Sequence, residues 1–171
     1  MSNLEGIPPL STQHTVLVVD DEAAIVQLCA ATLEPAGFSV LSATSSAEVL
    51  RICKNHPGPI HVLLTDLVIP PPMFSVASAD IEFPNVHGHE LAVRALRMRR
   101  DLRVILMSGN IDQELAGYGM RRGSLPFLPK PFDTQVLIAL VRLTLHAALP
   151  SLESVFAKPL ELSKYGDEWG H

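Results

Sequence analysis

An α/β sandwich, with helices on both faces of one parallel sheet, is the fold that the sequence predicts. Five short apolar runs alternate along the chain with five segments in which apolar residues recur at helical spacing. Crossovers between parallel strands are right-handed, so the helices cover both faces of the sheet. With 171 residues, 47% of them hydrophobic, the chain is large enough for one domain with a substantial core. We expect that domain at 14–149, between an N-terminal arm at 1–13 and a C-terminal tail at 150–171.

The strands are predicted where apolar and β-branched residues follow one another, which is typical of strands buried on both faces. Pro126 and Pro129 flank the last strand, and because proline is tolerated mainly at a sheet edge, that strand is expected at an edge. The five predicted strands are Thr15–Val19, Ser39–Ala43, His61–Thr65, Arg103–Met107 and the pair Phe127-Leu128.

The predicted helices begin at capping or acidic residues. Asp21 and Glu22 suit the first turn of the first helix, Ser45 or Ser46 caps the second, and Asp133 caps the last. The helices are expected to run as far as Pro35, as far as Lys54, from Gly88 to about Met98, from Asp112 to Arg121, and from Thr134 to about Leu149.

The last helix is poor in charge, with Arg142 as its one lysine or arginine. Apolar side chains go most of the way round it, and such a helix has to bury more than one face. We expect its outer face to contact the tail or a second copy of the chain, which would make a homodimer. The alternative, a few exposed leucines, stays open.

Charge and hydropathy exclude several classes of partner. The net charge of −5 argues against nucleic acid, which requires a basic face. Arg97, Arg99 and Arg100 form a small basic cluster that is expected to be a solvated helix end. The sequence has neither a secretory signal pattern nor an apolar run of about 18 residues, so no membrane partner is expected. Cys29 and Cys53 are expected to be buried free thiols in the reducing cytoplasm.

Polar residues follow four of the five predicted strands at the point where each strand ends. Asp20 and Asp21 follow the first strand, Asp66 the third, Ser108 the fourth and Lys130 the fifth. The carboxyl ends of parallel strands meet at one edge of a sheet, which is where such sheets bind ligands. The sequence therefore predicts a pocket with three carboxylates, one hydroxyl and one ammonium group.

Three carboxylates held together must take up protons or a cation, because two unit charges about 4 Å apart repel by about 4 kcal/mol at an effective dielectric constant of about 20. Oxygen ligands without histidine or cysteine select Mg²⁺ or Mn²⁺. Magnesium keeps several waters, so the pocket is expected to be open enough for a phosphoryl group. One carboxylate can then act as a nucleophile and become an aspartyl phosphate.

The ordered motifs resemble those of the receiver domain of two-component response regulators. They are Val18-Val19-Asp20-Asp21-Glu22, Leu64-Thr65-Asp66-Leu67-Val68-Ile69-Pro70, Met107-Ser108-Gly109 and Leu128-Pro129-Lys130-Pro131-Phe132. Each motif alone is weak, but the set in this order is highly specific, and the resemblance covers about Thr15 to Ala148. It implies a flavodoxin-like (βα)5 three-layer sandwich with strand order 2-1-3-4-5.

The resemblance also implies roles for individual residues. Asp66 would accept a phosphoryl group from a histidine kinase or a histidine phosphotransfer protein, and Lys130 would pair with a phosphoryl oxygen. Ser108 and Phe127 would switch the surface of helix 4, strand 5 and helix 5. The Lys130-Pro131 bond would be cis. The Mg²⁺ ligands would be Asp20, Asp21, Asp66 and the backbone carbonyl of Val68.

The loop after Asp66 departs from the family pattern. The glycine that opens the third helix is matched by Gly88, so about 71–86 is an insertion. It is either a tolerated surface excursion or a segment beside the pocket that affects partner choice or phosphoryl lifetime. His87 and His89 flank Gly88, but metal binding there is not favoured because no third ligand is evident.

Three other functions compete with that of a phosphorylation switch. A haloacid-dehalogenase-type phosphohydrolase would carry a second aspartate two residues after the first, and Val68 occupies that position. A phosphorylation-independent interaction module would not need the complete set of Asp20, Asp21, Asp66, Ser108 and Lys130. A flavin-binding protein of similar architecture would need a phosphate-binding loop after the first strand, and that loop is absent.

Overall fold

The computed structural model describes residues 13–69, 88–117 and 125–151. Strands and helices alternate through these ranges, as the sequence predicts. The strands are β1 (Thr15–Val19), β2 (Ser39–Ala43), β3 (Val62–Asp66), β4 (Arg103–Ser108) and β5 (Phe127–Pro129). The helices are α1 (Ala23–Leu33), α2 (Ser46–Asn55), α3 (Gly88–Met98), α4 (Ile111–Gly117) and α5 (Thr134–His146).

The sheet is parallel throughout, in the predicted order β2-β1-β3-β4-β5. The proline-flanked strand β5 lies at one edge, as expected. One apolar cluster joins α2 and α3 to one face of the sheet, through Val49 and Leu91 among others. A second cluster joins α1 and α5 to the opposite face, through Leu33 and Leu137 among others. The fold is therefore the three-layer sandwich that the sequence predicts. Because the strands are parallel, their carboxyl ends all lie at the same end of the sheet, which we call its carboxyl edge.

Two predicted caps are confirmed by their hydrogen bonds. The Ser45 hydroxyl accepts from the Glu48 N–H (3.2 Å) and so caps α2, and the Glu48 carboxylate accepts from the N–H of Thr44 (3.1 Å), the residue before the cap. The Asp133 carboxylate accepts from the Gln135 N–H (2.7 Å) at the start of α5.

The start of α1 differs from the prediction. The helix begins at Ala23, so Asp21 and Glu22 precede it rather than forming its first turn. Asp20 explains the shift, because its carboxylate accepts the Glu22 N–H (2.9 Å) and holds the chain in a turn before the helix can start. The two acids that the sequence assigns to a helix therefore belong to the loop at the strand ends.

Arg99 is not the solvated residue that the sequence predicts, although Arg97 and Arg100 are exposed as expected. Its guanidinium donates to the carbonyl oxygens of Cys53 (2.8 Å), His56 (2.6 Å) and Gly58 (2.9 Å), which lie at the end of α2 and in the turn after it. Those carbonyls have no helical partner, and a planar group with five N–H donors can satisfy several at once.

Both cysteines are free and buried, as predicted. Burial raises the pKa of the Cys29 thiol to about 12 and that of the Cys53 thiol to about 11. A thiol needs to ionise to react, so these two belong to the core rather than to any reactive site.

Helix α5 buries one side and leaves large side chains exposed on the other. Leu137 and Val141 are buried, whereas Val136 is 52% exposed and Leu143 is 69% exposed. What covers the outer side stays a prediction, because the tail beyond Ser151 lies outside the described residues. Among the residues that the structure describes, no helix is long and apolar enough to cross a membrane.

Several other expectations also fall outside the described ranges. They concern the arm at 1–12, the insertion at about 71–86, His87, and the end of the fourth helix beyond Gly117. The predicted boundaries of the arm, the domain and the tail stay predictions.

Candidate functional site

Three carboxylates converge at the carboxyl edge of the sheet. Asp20 follows β1 directly, Asp66 is the last residue of β3, and Asp21 lies beside them in the loop. One carboxylate oxygen from each lies within 4.8 Å of those of the other two. Asp20 and Asp66 are buried, whereas Asp21 is exposed, so the cluster has a protein-facing side and an open side.

Backbone amides fix the two buried carboxylates. The Asp20 Oδ1 accepts the Glu22 N–H (2.9 Å), and the Asp66 Oδ1 accepts the Val68 N–H (3.1 Å). The Thr65 hydroxyl donates to the Asp66 carbonyl oxygen (2.9 Å). Each buried carboxylate thus has one oxygen tied to a neighbouring amide and a second oxygen turned to the other side chains.

Lys130 joins the two buried carboxylates. Its Nζ lies 2.5 Å from Asp20 Oδ2 and 2.9 Å from Asp66 Oδ2. The Lys130 N–H donates to the Ser108 carbonyl oxygen (2.8 Å), which places Lys130 beside the end of β4. The Lys130-Pro131 bond is cis, as the resemblance implies. Lys130 is therefore in direct contact with two of the three acids that the sequence places in one pocket, Asp20 and Asp66.

Burial and hydrogen bonding act on the pKa values of the cluster. Burial raises the pKa of Asp66, although hydrogen bonding to Lys130 opposes the rise. Burial and a hydrogen bond with Asp20 raise the pKa of Asp21. For Lys130, burial acts to lower the pKa, but the bonds to Asp20 and Asp66 outweigh it and the pKa is raised. One cation compensates fewer charges than three carboxylates carry, so the cluster favours a further cation.

The donor set fits a hard divalent ion. The three carboxylates supply oxygen alone, with no histidine or cysteine in the group, and that choice of ligands suits Mg²⁺ or Mn²⁺. The exposed side at Asp21 leaves room for waters or phosphoryl oxygens, which such an ion retains. The carbonyl of Val68 is expected as a further ligand, and Val68 is held beside the cluster because its N–H donates to the Asp66 carboxylate.

Ser108 lies at the end of β4 and is buried, but its hydroxyl is bound to a residue that the sequence analysis did not single out. It donates to the carboxylate of Glu114 in α4 and accepts the Asn110 N–H (3.1 Å). The sequence carries one signal for this contact: Glu114 lies in the first turn of a helix that begins just after Ser108-Gly109. An acid there is usually explained by the helix dipole, so the signal was weak.

Phe127 is placed by the sheet rather than by the acid cluster. It is the first residue of β5, pairs in register with Leu106 of β4, and packs half-buried against the cluster that includes α2 and α3. The two expected switch residues therefore lie on neighbouring strands.

Gly88 brings the start of α3 against the acid-bearing loop. Its N–H donates to the Leu67 carbonyl oxygen (3.0 Å), and a Cβ added at this position would lie 2.0 Å from the Asp66 carbonyl oxygen. Only glycine fits so near to that backbone. The match of Gly88 to the helix-opening glycine is thereby given a structural reason.

Comparison with known proteins supports the resemblance. Residues 16–142 match the family described as the response regulator receiver domain. The transcriptional regulatory protein DctD of C4-dicarboxylate transport in Pseudomonas aeruginosa is 31% identical over 147 residues, which are 85% of this chain and 28% of that protein. The transcriptional regulatory protein FixJ of Azorhizobium caulinodans is 32% identical over 130 residues, which are 76% of this chain and 54% of that protein.

Solved structures agree in fold. A response regulator receiver protein from Sinorhizobium medicae is 26% identical, with a TM-score of 0.62 over 80% of this chain and 97% of that one. The receiver domain of the hybrid histidine kinase CckA is 27% identical, with a TM-score of 0.57 over 77% of this chain and 98% of that one. The match thus spans almost the whole of the solved receiver structures but only 28% to 54% of the two regulators compared.

Proposed function

Because this chain belongs to the response regulator receiver domain family, we propose that Asp66 is its phosphoacceptor and that the domain works as a phosphorylation switch. The donor would be a phosphohistidine on a histidine kinase or a histidine phosphotransfer protein. The observation that carries the proposal is the contact of Lys130 with Asp20 (2.5 Å) and Asp66 (2.9 Å) at the sheet edge.

The proposed transfer is a displacement at phosphorus. A carboxylate oxygen of Asp66 forms the new O–P bond while the P–N bond to the donor imidazole breaks, and the imidazole leaves with the electron pair. The Val68 N–H holds the other oxygen of Asp66 (3.1 Å) and so aims the nucleophile. Lys130 lies 2.9 Å from the attacking carboxylate and would shift its contact to a phosphoryl oxygen.

A divalent ion would be held by Asp20, Asp21 and Asp66, with the Val68 carbonyl as a further ligand. When bound, it would offset the negative charge of the phosphoryl oxygens during transfer. Asp20 and Asp66 are buried and Asp21 is exposed, so the donor would approach the Asp66 carboxylate from the Asp21 side. Apart from accepting and releasing its own phosphoryl group, the domain would catalyse no reaction.

Phosphorylation would then change the surface that partners contact. The phosphoryl group adds about −1.5 to −2 charges and three strong acceptor oxygens. The Ser108 hydroxyl would turn towards it, Phe127 would move into the space that is vacated, and the surface of α4, β5 and α5 would change. Phosphorylation biases an existing equilibrium, so the response depends on the free-energy gap between the two states.

The test is intact-mass analysis after incubation with Mg²⁺ and a small phosphodonor such as acetyl phosphate. We expect wild type to gain one phosphoryl unit, about 80 Da, and Asp66→Asn to gain none. Asp133→Asn is a matched control, because it alters an exposed aspartate in the cap of α5 and should leave the gain intact. A gain on Asp66→Asn equal to that on wild type would refute the assignment.

A further inference from the structure

The hydroxyl of Ser108 is held by an acid on the neighbouring helix. It donates to the Glu114 carboxylate, and the Glu114 N–H in turn donates to the Asn110 carbonyl oxygen (3.0 Å). The Asn110 N–H donates to the Ser108 oxygen (3.1 Å), so the serine is held from both sides. The loop from Ser108 to Glu114 thereby forms a small closed network between β4 and α4.

A serine hydroxyl has one proton to donate. While the Glu114 carboxylate accepts that proton, the hydroxyl has none left for a phosphoryl oxygen on Asp66. Both acceptors are anionic, and hydrogen bonds to charged acceptors are roughly twice as strong as neutral ones. The two groups therefore compete for the same donor with similar strength.

We propose that Glu114 is a positioning residue that holds Ser108 in the unphosphorylated arrangement and so stabilises the unswitched state relative to the switched state. The inference rests on the proposed function, because the competing acceptor is the phosphoryl group on Asp66. When Ser108 turns to that group, Glu114 loses its donor and the link between α4 and β4 opens. Phosphorylation of Asp66 would in this way change the contacts of α4, because Ser108 exchanges the Glu114 carboxylate for a phosphoryl oxygen as its acceptor.

The arrangement also sets the direction of the effect. A stronger bond from Ser108 to Glu114 favours the unswitched state, and weakening the bond favours the switched state without any change at Asp66. Glu114→Gln keeps the length of the side chain and an acceptor oxygen but loses the charge. Glu114→Ala removes the acceptor, and since Glu114 is only partly buried in a short helix, neither variant removes core packing.

The experiment measures binding of beryllofluoride, an acyl-phosphate mimic, in the presence of Mg²⁺. The net contribution of a hydrogen bond to a charged group corresponds to about a tenfold change in affinity or more. We expect Glu114→Gln and Glu114→Ala to bind beryllofluoride about tenfold more tightly than wild type. Glu34→Gln, an exposed acid that follows α1, is the control and should match wild type.

The Ser108→Ala background separates the hydrogen bond from simple charge repulsion. Without the hydroxyl there is no proton to exchange, so adding Glu114→Gln to Ser108→Ala should change the affinity less than twofold. A tenfold gain that persists in that background would show repulsion by the carboxylate and overturn the inference. Equal binding by wild type, Glu114→Gln and Glu114→Ala would overturn it too, while leaving the proposed function intact.

Failure of the proposed function would look different. Wild type would then bind no beryllofluoride at Asp66 and gain no mass from acetyl phosphate, and the inference would fall with it. The amide signal of Asn110, whose N–H is bound to Ser108, reports the contact directly in the unphosphorylated protein. It should move in Glu114→Gln and stay unchanged in Glu34→Gln, and an Asn110 signal that does not move would also overturn the inference.

Discussion

Polar residues lie both at the amino ends of the strands (the amino edge of the sheet) and at their carboxyl ends (the carboxyl edge), but the two groups bind different partners. At the amino edge, the His61 Nδ1 accepts the Thr15 N–H (2.9 Å), the Arg103 Nε donates to the Ala147 carbonyl oxygen (3.0 Å), and Arg99 donates to three carbonyls. At the carboxyl edge, Lys130 contacts two carboxylates rather than the backbone.

The difference separates structural polar groups from those available to a ligand. A side chain that hydrogen-bonds to backbone N–H or carbonyl groups satisfies groups that have no partner in a helix or strand, and its own polar atoms are then not available to a ligand. A cluster with three carboxylates and one ammonium retains uncompensated negative charge and has oxygens to share. Strand-end position alone thus does not mark a functional residue; the partner of its polar atoms does.

Gly88→Ala tests how closely the start of α3 approaches the backbone at Asp66, and it has the largest expected effect. The new Cβ would lie 2.0 Å from the Asp66 carbonyl oxygen and 3.0 Å from the Leu67 Cα, so backbone has to move. We expect a loss of about 3 kcal/mol in the free energy of unfolding, measured by urea denaturation. In Gly109→Ala the Cβ would meet none of the described atoms within 4 Å, and the loss should be below about 1 kcal/mol. Equal losses would contradict the close approach.

Mg²⁺ should stabilise the protein through the carboxyl edge. At a free concentration of about a hundred times its dissociation constant, a ligand that binds the folded state alone adds about 2.7 kcal/mol to the free energy of unfolding. Asp21 is exposed, so Asp21→Asn should fold normally and lose most of that gain. Thermal denaturation with and without Mg²⁺ measures both. Equal stabilisation of wild type and Asp21→Asn would place the ion elsewhere.

Arg99→Leu tests the structural character of the amino edge. The variant leaves the carbonyls of Cys53, His56 and Gly58 without their donor, and we expect a loss of about 2 kcal/mol in the free energy of unfolding. Phosphoryl uptake should stay at the wild-type level. Arg100→Leu, at an exposed position of the same cluster, should change stability by less than about 0.5 kcal/mol. A stable Arg99→Leu, or one that loses phosphoryl uptake, would contradict the division between the two edges.

Strand ends were the part of the site that the sequence could predict. Asp20, Asp66 and Lys130 each end an apolar run, and once the sheet is parallel their meeting follows from topology. Glu114 could not be predicted, because its contact depends on where α4 begins and on which way a short helix turns after Ser108. Helical spacing places a side chain on a face but does not choose its partner.

Arg99 shows the same limit from the other side. Sequence pattern treats three nearby arginines alike, and only the packing of α2 against α3 brings the carbonyls of one turn within reach of one guanidinium. Polar contacts across more than 40 residues depend on the distance between packed helices, which apolar periodicity does not fix. Cap residues such as Ser45 and Asp133 were predictable because their partners lie two or three residues away.

His61 gives the smallest expected effect and a pH test of the amino edge. Burial lowers its pKa below the ordinary 6.5, and the nearby charges of His14 and Arg103 lower it further. The folded state therefore binds fewer protons than the unfolded state between the two pKa values, and stability falls as pH drops below about 6.5. Protonation of Nδ1 also removes the acceptor of the Thr15 N–H.

His61→Asn keeps an acceptor oxygen and does not titrate, so urea denaturation from pH 7.5 to pH 5 should show a smaller loss of stability than in wild type. Equal slopes in the two proteins would mean that the hydrogen bond between His61 and Thr15 does not hold this edge.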